Sequence, residues 1–252
     1  KLKEKPSIVI GSAARLLELI HLKKLKVEAL DALVLDEADR LLAPELRDAT
    51  EQMIARLPKT VQLIGNSATV SAYTKKIITE ARIKDEIDLL ELPAEDVLRS
   101  RIEHWAVFAE RRDKIDPLRS FIRAVNPQKM IVFTSRLDQV ENIVSKLRYR
   151  HIDCEGLGAK TDKKRRKEAW DKFRHGCCKI LVTTDVAARG LDIQDVTHVV
   201  QMDLDEDKDF FIHRAGRTGR AGKRGFNCVI GDEREMRRYA AFEKSLGIKV
   251  YP

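Results

Sequence analysis

Three acidic residues directly follow an apolar run near the start of the chain. Ala32–Leu35 is followed by Asp36, Glu37, Ala38 and Asp39. Acidic side chains at the carboxyl end of a buried parallel strand lie where open α/β sheets bind ligands. Because Mg²⁺ prefers carboxylate, water and phosphate oxygens, one carboxylate can hold a hydrated Mg²⁺ while its neighbour polarises an attacking water. The alternative is that these acids only cap a helix, but the preceding strand favours a functional role.

A second cluster combines arginines and glycines. His213–Arg220 contains three arginines, one histidine and two glycines within eight residues. Glycine lets the backbone come close to a phosphate, and arginine offers rigid, always-charged donors for phosphate oxygens. Arg217 and Arg220 are three residues apart, so one helical turn would point both the same way. A solvated basic helix is the alternative, which the glycines disfavour.

The elements that must position these clusters are short apolar runs alternating with amphipathic helices. The runs are rich in Val, Ile and Leu without polar alternation, which is typical of parallel strands buried on both faces. The predicted strands lie at 8–10, 32–35, 61–64, 87–92, 102–108, 130–133, 152–157, 179–183, 196–202 and 225–230. A proline followed by polar residues interrupts the pattern at 93–96. We therefore predict an α/β protein with two parallel-sheet domains, 1–94 and 101–252, joined by a linker at 95–100.

Composition narrows the class of protein. The 252 residues are 43% hydrophobic and 35% charged, which is typical of a soluble globular protein. No apolar run approaches the ~18 residues that span a bilayer, and the start does not resemble a signal peptide. We therefore expect neither a membrane-spanning nor a secreted protein. The four cysteines lack a C-x-x-C pair, so we expect reduced thiols and a cytoplasmic location.

The charge balance favours a polyanionic partner. The net charge is +8, and aromatic residues make up only 6% of the chain. Few aromatics argue against recognition by rows of base-stacking rings, so contacts with phosphate and sugar should dominate any binding of nucleic acid.

Five segments, in order along the chain, resemble motifs of the DEAD-box RNA helicases of superfamily 2. Asp36–Asp39 resembles motif II, Ser67–Thr69 motif III, Ile131–Ser135 motif IV, Thr184–Asp192 motif V, and His213–Arg220 motif VI. Each motif alone is a weak to moderate signal. Their order and spacing over essentially the whole chain make the resemblance specific. It implies two RecA-like domains that close over ATP and RNA, the first incomplete at its amino end.

The resemblance also implies ATP and Mg²⁺ as cofactors and assigns roles around them. Asp36 would bind Mg²⁺ through water, and Glu37 would orient and activate the hydrolytic water. Gly190 and Asp192 would contact the nucleotide, Asp192 at its ribose. Arg217 and Arg220 would be arginine fingers on the γ-phosphate; in GTPases such a finger contributes on the order of 10³–10⁵ in rate.

Two further sets of residues follow from the same resemblance. Coupling between nucleotide and domain closure would involve Asp39, Ser67, Thr69 and His213. Contacts with the RNA backbone would involve Arg15, Ser135, Lys163, Arg166, Thr184 and Arg189. The basic stretch 160–167 fits that role, although a solvated surface is an equal alternative for its lysines. The implied partners are RNA, bound without sequence specificity, and ribonucleoprotein complexes; we expect a monomer and no membrane partner.

The chain departs from the family pattern in three places. It contains no G-x-x-x-x-G-K-[ST], the loop that cradles phosphates and supplies a lysine. The family's Thr-Pro-Gly-Arg turn reads Ser12-Ala13-Ala14-Arg15, and its Gln-x-x-Arg glutamine is Lys163, which cannot accept a hydrogen bond. We expect a fragment that lacks the glutamine motif and Walker A loop and does not hydrolyse ATP by itself.

Three functions remain open on this basis. The first is an ATP-dependent RNA helicase that separates short duplexes or remodels RNA–protein complexes. The second is a non-catalytic module that binds RNA or a ribonucleoprotein. The third is a DNA-directed helicase of the same superfamily, which the spelling of motifs II and VI disfavours only by analogy.

Overall fold

The computed structural model describes residues 4–67, 72–80, 88, 94–158, 162–188 and 193–252. The chain divides into two compact units, Lys1–Glu91 and Leu92–Pro252, which are described separately. Every strand pair among the described residues of both units is parallel, which confirms the predicted α/β class. Among the described residues, no helix is long and apolar enough to cross a membrane.

In its described residues, the first unit carries a two-stranded parallel sheet flanked by helices. Its described elements are α1 (Ala13–His21), β1 (Ala32–Asp36), α2 (Ala38–Leu41), α3 (Arg47–Ala55), β2 (Gln62–Asn66) and α4 (Ala72–Glu80). Leu35 packs with Leu17 of α1 and Met53 of α3 in the buried core. The strands pair in register from Ala32 opposite Gln62 to Asp36 opposite Asn66, so their carboxyl ends lie side by side.

The predicted strand at 8–10 is wrong. Residues 5–12 form no strand, and the side chains of Ile8 and Ile10 are 78% and 94% exposed. An apolar run becomes a strand only where a neighbour completes its hydrogen bonds, and the described part of the chain places none beside 8–10. The predicted strand at 87–92 lies outside the described residues except for Asp88.

The second unit is a seven-stranded parallel sheet in the order β5-β6-β4-β7-β8-β3-β9. Its described elements are α5 (Ala94–Arg101), β3 (Ile102–Phe108), α6 (Ile115–Val125), β4 (Met130–Phe133), α7 (Leu137–Tyr149), β5 (Glu155–Leu157), α8 (Lys163–Arg174), β6 (Ile180–Thr183), α9 (Asp185–Ala188), β7 (His198–Gln201), α10 (Lys208–Ala215), β8 (Gly225–Gly231), α11 (Glu233–Leu246) and β9 (Val250–Tyr251). The central strands β4, β6 and β7 are buried throughout. The wholly apolar sequence of β4 predicts this burial, whereas β7 also buries His198 and Gln201 at its ends.

Helices cover both faces of this sheet. Val140 of α7 packs with Val132 and Val200 on one face, and Phe173 of α8 packs with Phe133 and Val199 on the other. The chain leaves β4 toward β5 and leaves the adjacent β7 toward β8, in opposite directions. Neighbouring strands with opposite departures mark the point where open α/β sheets bind ligands, beyond the carboxyl ends of the strands.

The segment predicted as a linker, 95–100, is helical and lies in the second unit. Leu98 of α5 is 2% exposed and packs in the same core as Leu246 of α11. Arg99 Nε donates to the carbonyl oxygen of Leu246 at 2.7 Å, and the imidazole of His104 bonds the Leu98 carbonyl at 2.9 Å. Val97 and Leu98 are adjacent in sequence among mostly polar residues and give little periodicity, so sequence alone does not reveal this helix. The domain limits remain predictions.

Candidate functional site

Asp36 ends β1 with an exposed carboxylate. Asn66, directly opposite at the end of β2, donates from Nδ2 to Asp36 Oδ1 at 3.1 Å. Carboxylate oxygen is the ligand type that Mg²⁺ prefers, and water and phosphate oxygens readily complete its shell, so Asp36 fits the predicted role chemically. The described residues hold no cluster of three or more His, Cys, Asp or Glu suited to a metal ion. Sequence reasoning missed Asn66, whose signal is an amide ending the adjacent strand.

Glu37 sits in a strained backbone conformation between β1 and α2. Its φ of 52° and ψ of 53° lie in the left-handed helical region. For a residue other than glycine this conformation costs roughly 1–2 kcal/mol. Residues held in such conformations cluster at functional sites, where the strain fixes a side chain's direction. The turn places Glu37 immediately after Asp36, half-buried, at the end of the sheet.

The structure brings Asp39 and Ser67 together. The backbone N–H of Asp39, in the first turn of α2, donates to Ser67 Oγ at 3.2 Å. Ser67 follows β2 directly, so the contact joins the segments after the two strands. Thr69, the third residue predicted for this coupling in the first unit, lies outside the described residues.

A buried arginine in the second unit binds two aspartates that follow different strands. Arg214 of α10 is 1% exposed, and its guanidinium donates to Asp185 through Nε (3.0 Å) and Nη2 (2.7 Å). Its Nη1 donates to the carbonyl oxygen (2.9 Å) and Oδ1 (3.1 Å) of Asp203. Burial lowers the pKa of Arg214, but the two carboxylates outweigh it and hold the pKa above its usual value. Asp185 begins α9 after β6, and Asp203 follows β7, so Arg214 joins the ends of two strands to α10.

Asp203 extends this network to the end of β4. Its Oδ2 accepts from the Thr134 hydroxyl at 2.9 Å and from the backbone N–H of Ser135 at 2.7 Å. Burial raises the pKa of Asp203, but the charge of Arg214 and the bonds from Ser135 and Thr134 hold it below its usual value. Ser135, predicted to bind RNA, is exposed and held by this carboxylate.

Sequence reasoning missed this Asp185–Arg214–Asp203 network. Its signal was present, because each acid follows a buried strand within two residues, the pattern that singled out Asp36.

The predicted helical alignment of Arg217 and Arg220 is wrong. Helix α10 ends at Ala215, and both arginines lie in the turn that follows it. Gly219 lies between them with a left-handed φ of 68°, which excludes a helical turn there, and a Cβ on it would lie 2.8 Å from Ile102 Cγ1. Arg217 is half-buried, whereas Arg220 is exposed and bonds the Gly216 carbonyl through Nε at 2.8 Å. His213 is in the last turn of α10, directly before Arg214.

The residues predicted to contact RNA have diverse surroundings. Arg15, in α1, is exposed and pairs with Glu18 at 2.5 Å. Arg166 donates to the Ala187 carbonyl at 2.7 Å and so supports the end of α9. Thr184 is 3% exposed and its hydroxyl accepts from the Ala187 N–H at 3.4 Å, so it caps α9 rather than facing solvent. Arg189, Gly190, Asp192 and the side chain of Lys163 lie outside the described part of the chain.

Comparison with protein families matches both units. Residues 1–77 match the DEAD/DEAH box helicase family, and residues 113–222 match the helicase conserved C-terminal domain. A DEAD-box ATP-dependent RNA helicase of Bacillus cereus, CshC, is 34% identical over 248 residues, covering 98% of this chain and 63% of the relative. CshA of Bacillus subtilis, another DEAD-box ATP-dependent RNA helicase, is 33% identical over 244 residues, covering 97% of this chain and 49% of the relative. The chain thus spans 49% to 63% of the length of these relatives.

The fold of this chain is also similar to that of a solved structure. The structure of S. cerevisiae Dbp5 bound to RNA and ADP BeF3 superimposes with a TM-score of 0.81 at 27% identity, over 96% of this chain and 64% of that one. This likeness supports the predicted RecA-like fold. The two family matches, the relatives and the motif order agree, and the chain belongs to the DEAD-box family of RNA helicases.

Proposed function

We propose that the protein is an ATP-dependent RNA helicase that separates short duplexes or remodels RNA–protein complexes. The observation that carries this proposal is the sheet edge where β1 and β2 end side by side. Asp36 ends β1 and Glu37 follows it, while Asn66 ends β2 and Ser67 follows that strand. Asp36 is exposed at the end of a strand, whereas Glu37 is half-buried in a left-handed turn. These differences suit the two carboxylates to different tasks at one triphosphate.

In this proposal Asp36 would hold hydrated Mg²⁺ by accepting a hydrogen bond from one of its waters, and Asn66 holds the Asp36 carboxylate in place. Mg²⁺ supplies charge stabilisation at the phosphates. Glu37 takes up a proton from the attacking water, and its fixed backbone turn keeps it directed there. Arg217 and Arg220 stabilise charge that develops on the transferred phosphoryl group, the task for which a guanidinium is best suited.

RNA would be bound through its backbone in the second unit. Support comes from the exposed Ser135, whose backbone N–H is fixed by Asp203, and from exposed cations at the start of α8, such as Lys164, Arg165 and Lys167. Contacts with phosphate and sugar carry little sequence information, so we propose binding without sequence specificity.

The proposed ATPase activity is tested by adding a phosphate-cradling loop to the chain. The P-loop segment of a DEAD-box relative is fused to the amino end of this chain, and ATP hydrolysis is measured with and without RNA. Glu37→Gln should lower the RNA-stimulated kcat by about 10²–10⁴-fold, because the proton acceptor is lost. Glu45→Gln, an exposed acid of the same unit, is the control and should leave kcat unchanged. A Glu37→Gln fusion as active as the control would contradict the assigned role.

A non-catalytic RNA-binding role is the second candidate for the chain as it stands. No G-x-x-x-x-G-K-[ST] occurs in its 252 residues, and α8 begins with a run of cations. The unfused chain should bind RNA with an affinity that falls steeply with salt, since phosphate contacts release counterions. A fusion without RNA-stimulated hydrolysis, beside salt-dependent RNA binding, would favour this role. The same measurements with DNA strands of matched sequence test the third function, because a DNA-directed helicase should respond to DNA more strongly than to RNA.

A further inference from the structure

A crevice of about 550 Å³ opens in the second unit at the carboxyl ends of β3, β4, β7 and β8. Thr134 and Ser135 after β4 line it together with Met202 and Asp203 after β7. It therefore lies where β4 and β7 send the chain in opposite directions, the position where open α/β sheets bind ligands. Its volume is within the range of ligand sites, about 300–1,000 Å³.

The lining of this crevice is strongly basic. Its cations are Arg111, Arg112, Lys114, Arg136, Lys146, Arg234 and Arg238, and its acids are Asp203, Glu206, Asp232 and Glu235. Two of the acids are already neutralised in the interior. Lys114 and Glu235 form a buried pair at 2.5 Å, and Asp203 is held by Arg214. These acids therefore do not offset the cations at the mouth.

The remaining acids leave a surplus of positive charge. Glu206 accepts from both Arg234 and Arg238, each at 2.9 Å, so one carboxylate serves two guanidiniums. Asp232 is occupied as the cap of α11. Arg111 and Lys146 are exposed, and the structure records no acidic partner for either within the described residues. A concave surface with a surplus of positive charge focuses the field on an anion.

We propose that this crevice binds the phosphates of an RNA strand that continues past Ser135, with Arg111 and Lys146 as contacts. The proposal rests on the proposed binding of RNA at Ser135. Arg112 pairs with Asp113 at 3.6 Å and Arg234 with Glu206 at 2.9 Å, but both side chains stay well exposed, by 89% and 80%. Exposed guanidiniums spread along the rim favour an extended chain of phosphates over one compact anion. A contiguous strand can engage Ser135 and the rim together. The contacts are with phosphate, so the subsite extends the footprint without adding sequence preference.

The test compares two RNA lengths at several salt concentrations. The 252-residue chain and its Arg111→Ala/Lys146→Ala variant are titrated with labelled single strands of about 4 and about 16 nucleotides, the limits of common site sizes. Removing two phosphate contacts should lower the salt slope for the long strand by about 1.4. The advantage of wild type over variant should thus shrink about sevenfold between about 50 mM and about 200 mM salt. The short strand should bind both proteins equally.

A matched variant and a small anion complete the design. Arg123→Ala/Lys244→Ala removes two exposed cations of the same unit outside the crevice and should keep the wild-type slope. Equal slopes for the crevice variant and this control would overturn the subsite. Inorganic triphosphate that binds wild type better than the crevice variant, while the long RNA does not discriminate, would show a small-anion site and overturn the RNA assignment. If neither RNA binds the wild-type chain, the proposed RNA binding itself fails.

Discussion

The charged groups at the end of β1 and those around Arg214 differ in exposure and in how many partners they have within the protein. Asp36 is exposed and has one described side-chain hydrogen bond, from Asn66 at 3.1 Å. Arg214 is 1% exposed and is held by two aspartates, one after β6 and one after β7. The first carboxylate keeps oxygen available for a ligand. The second group has its charge fully matched within the protein, so it serves to hold other residues.

The difference separates residues that can contact a ligand directly from residues that hold other residues in place. A site residue works within narrow geometric limits, which its supporting contacts must set. In the second unit, Arg214 and Asp203 hold the Ser135 backbone and connect it to the helix that carries His213. In the first unit, support comes from backbone strain at Glu37 and from single hydrogen bonds at strand ends. Substitutions should therefore affect the folding of the second unit far more than that of the first.

The largest effect should come from Arg214→Met. The change leaves Asp185 and Asp203 without their buried counter-charge, and breaking one side of a buried ion pair costs about 3–5 kcal/mol. Urea unfolding followed by tryptophan fluorescence measures the loss, because Trp105 and Trp170 both lie in the second unit.

Lys223→Met is the control for that substitution. Lys223 pairs with Asp195 at 2.5 Å, but the two side chains are 65% and 67% exposed, so the loss should stay below about 1 kcal/mol. Equal losses for the two variants would mean that the Arg214 network does not hold the second unit together.

The next effect should come from Asp203→Asn and should depend on pH. The asparagine loses charge-assisted bonds, which contribute about 1.5–3 kcal/mol at neutral pH. Because the pKa of Asp203 lies below its unfolded value, near 3.9, the stability it contributes is complete above that value. It is lost as pH falls through the lower, folded pKa. Urea unfolding at a series of pH values should show wild type and variant converging in acid; a constant difference down to low pH would contradict the pairing.

The sequence predicted the strand ends well but not the contacts between them. Buried parallel strands such as β4 and β6 have unbroken apolar runs, so the position of Thr134 at a strand end could be predicted. The partners of Arg214 are 29 and 11 residues away, and no local pattern encodes that distance. The spacing of Arg217 and Arg220 suggests a helix, but Gly219 between them adopts a left-handed turn that the spacing does not encode.

The smallest effect should come from Ser67→Ala in the first unit. The variant removes the acceptor for the Asp39 N–H, a partly buried hydrogen bond whose loss costs about 0.5–1.5 kcal/mol. Hydrogen exchange followed by mass spectrometry should show faster exchange in peptides covering α2, with little change in the second unit. Ser7→Ala, at an exposed position of the same unit, should exchange like wild type. If Ser67→Ala also exchanges like wild type, the bond does not hold the segment after β1, and the strained turn at Glu37 must fix the acids by itself.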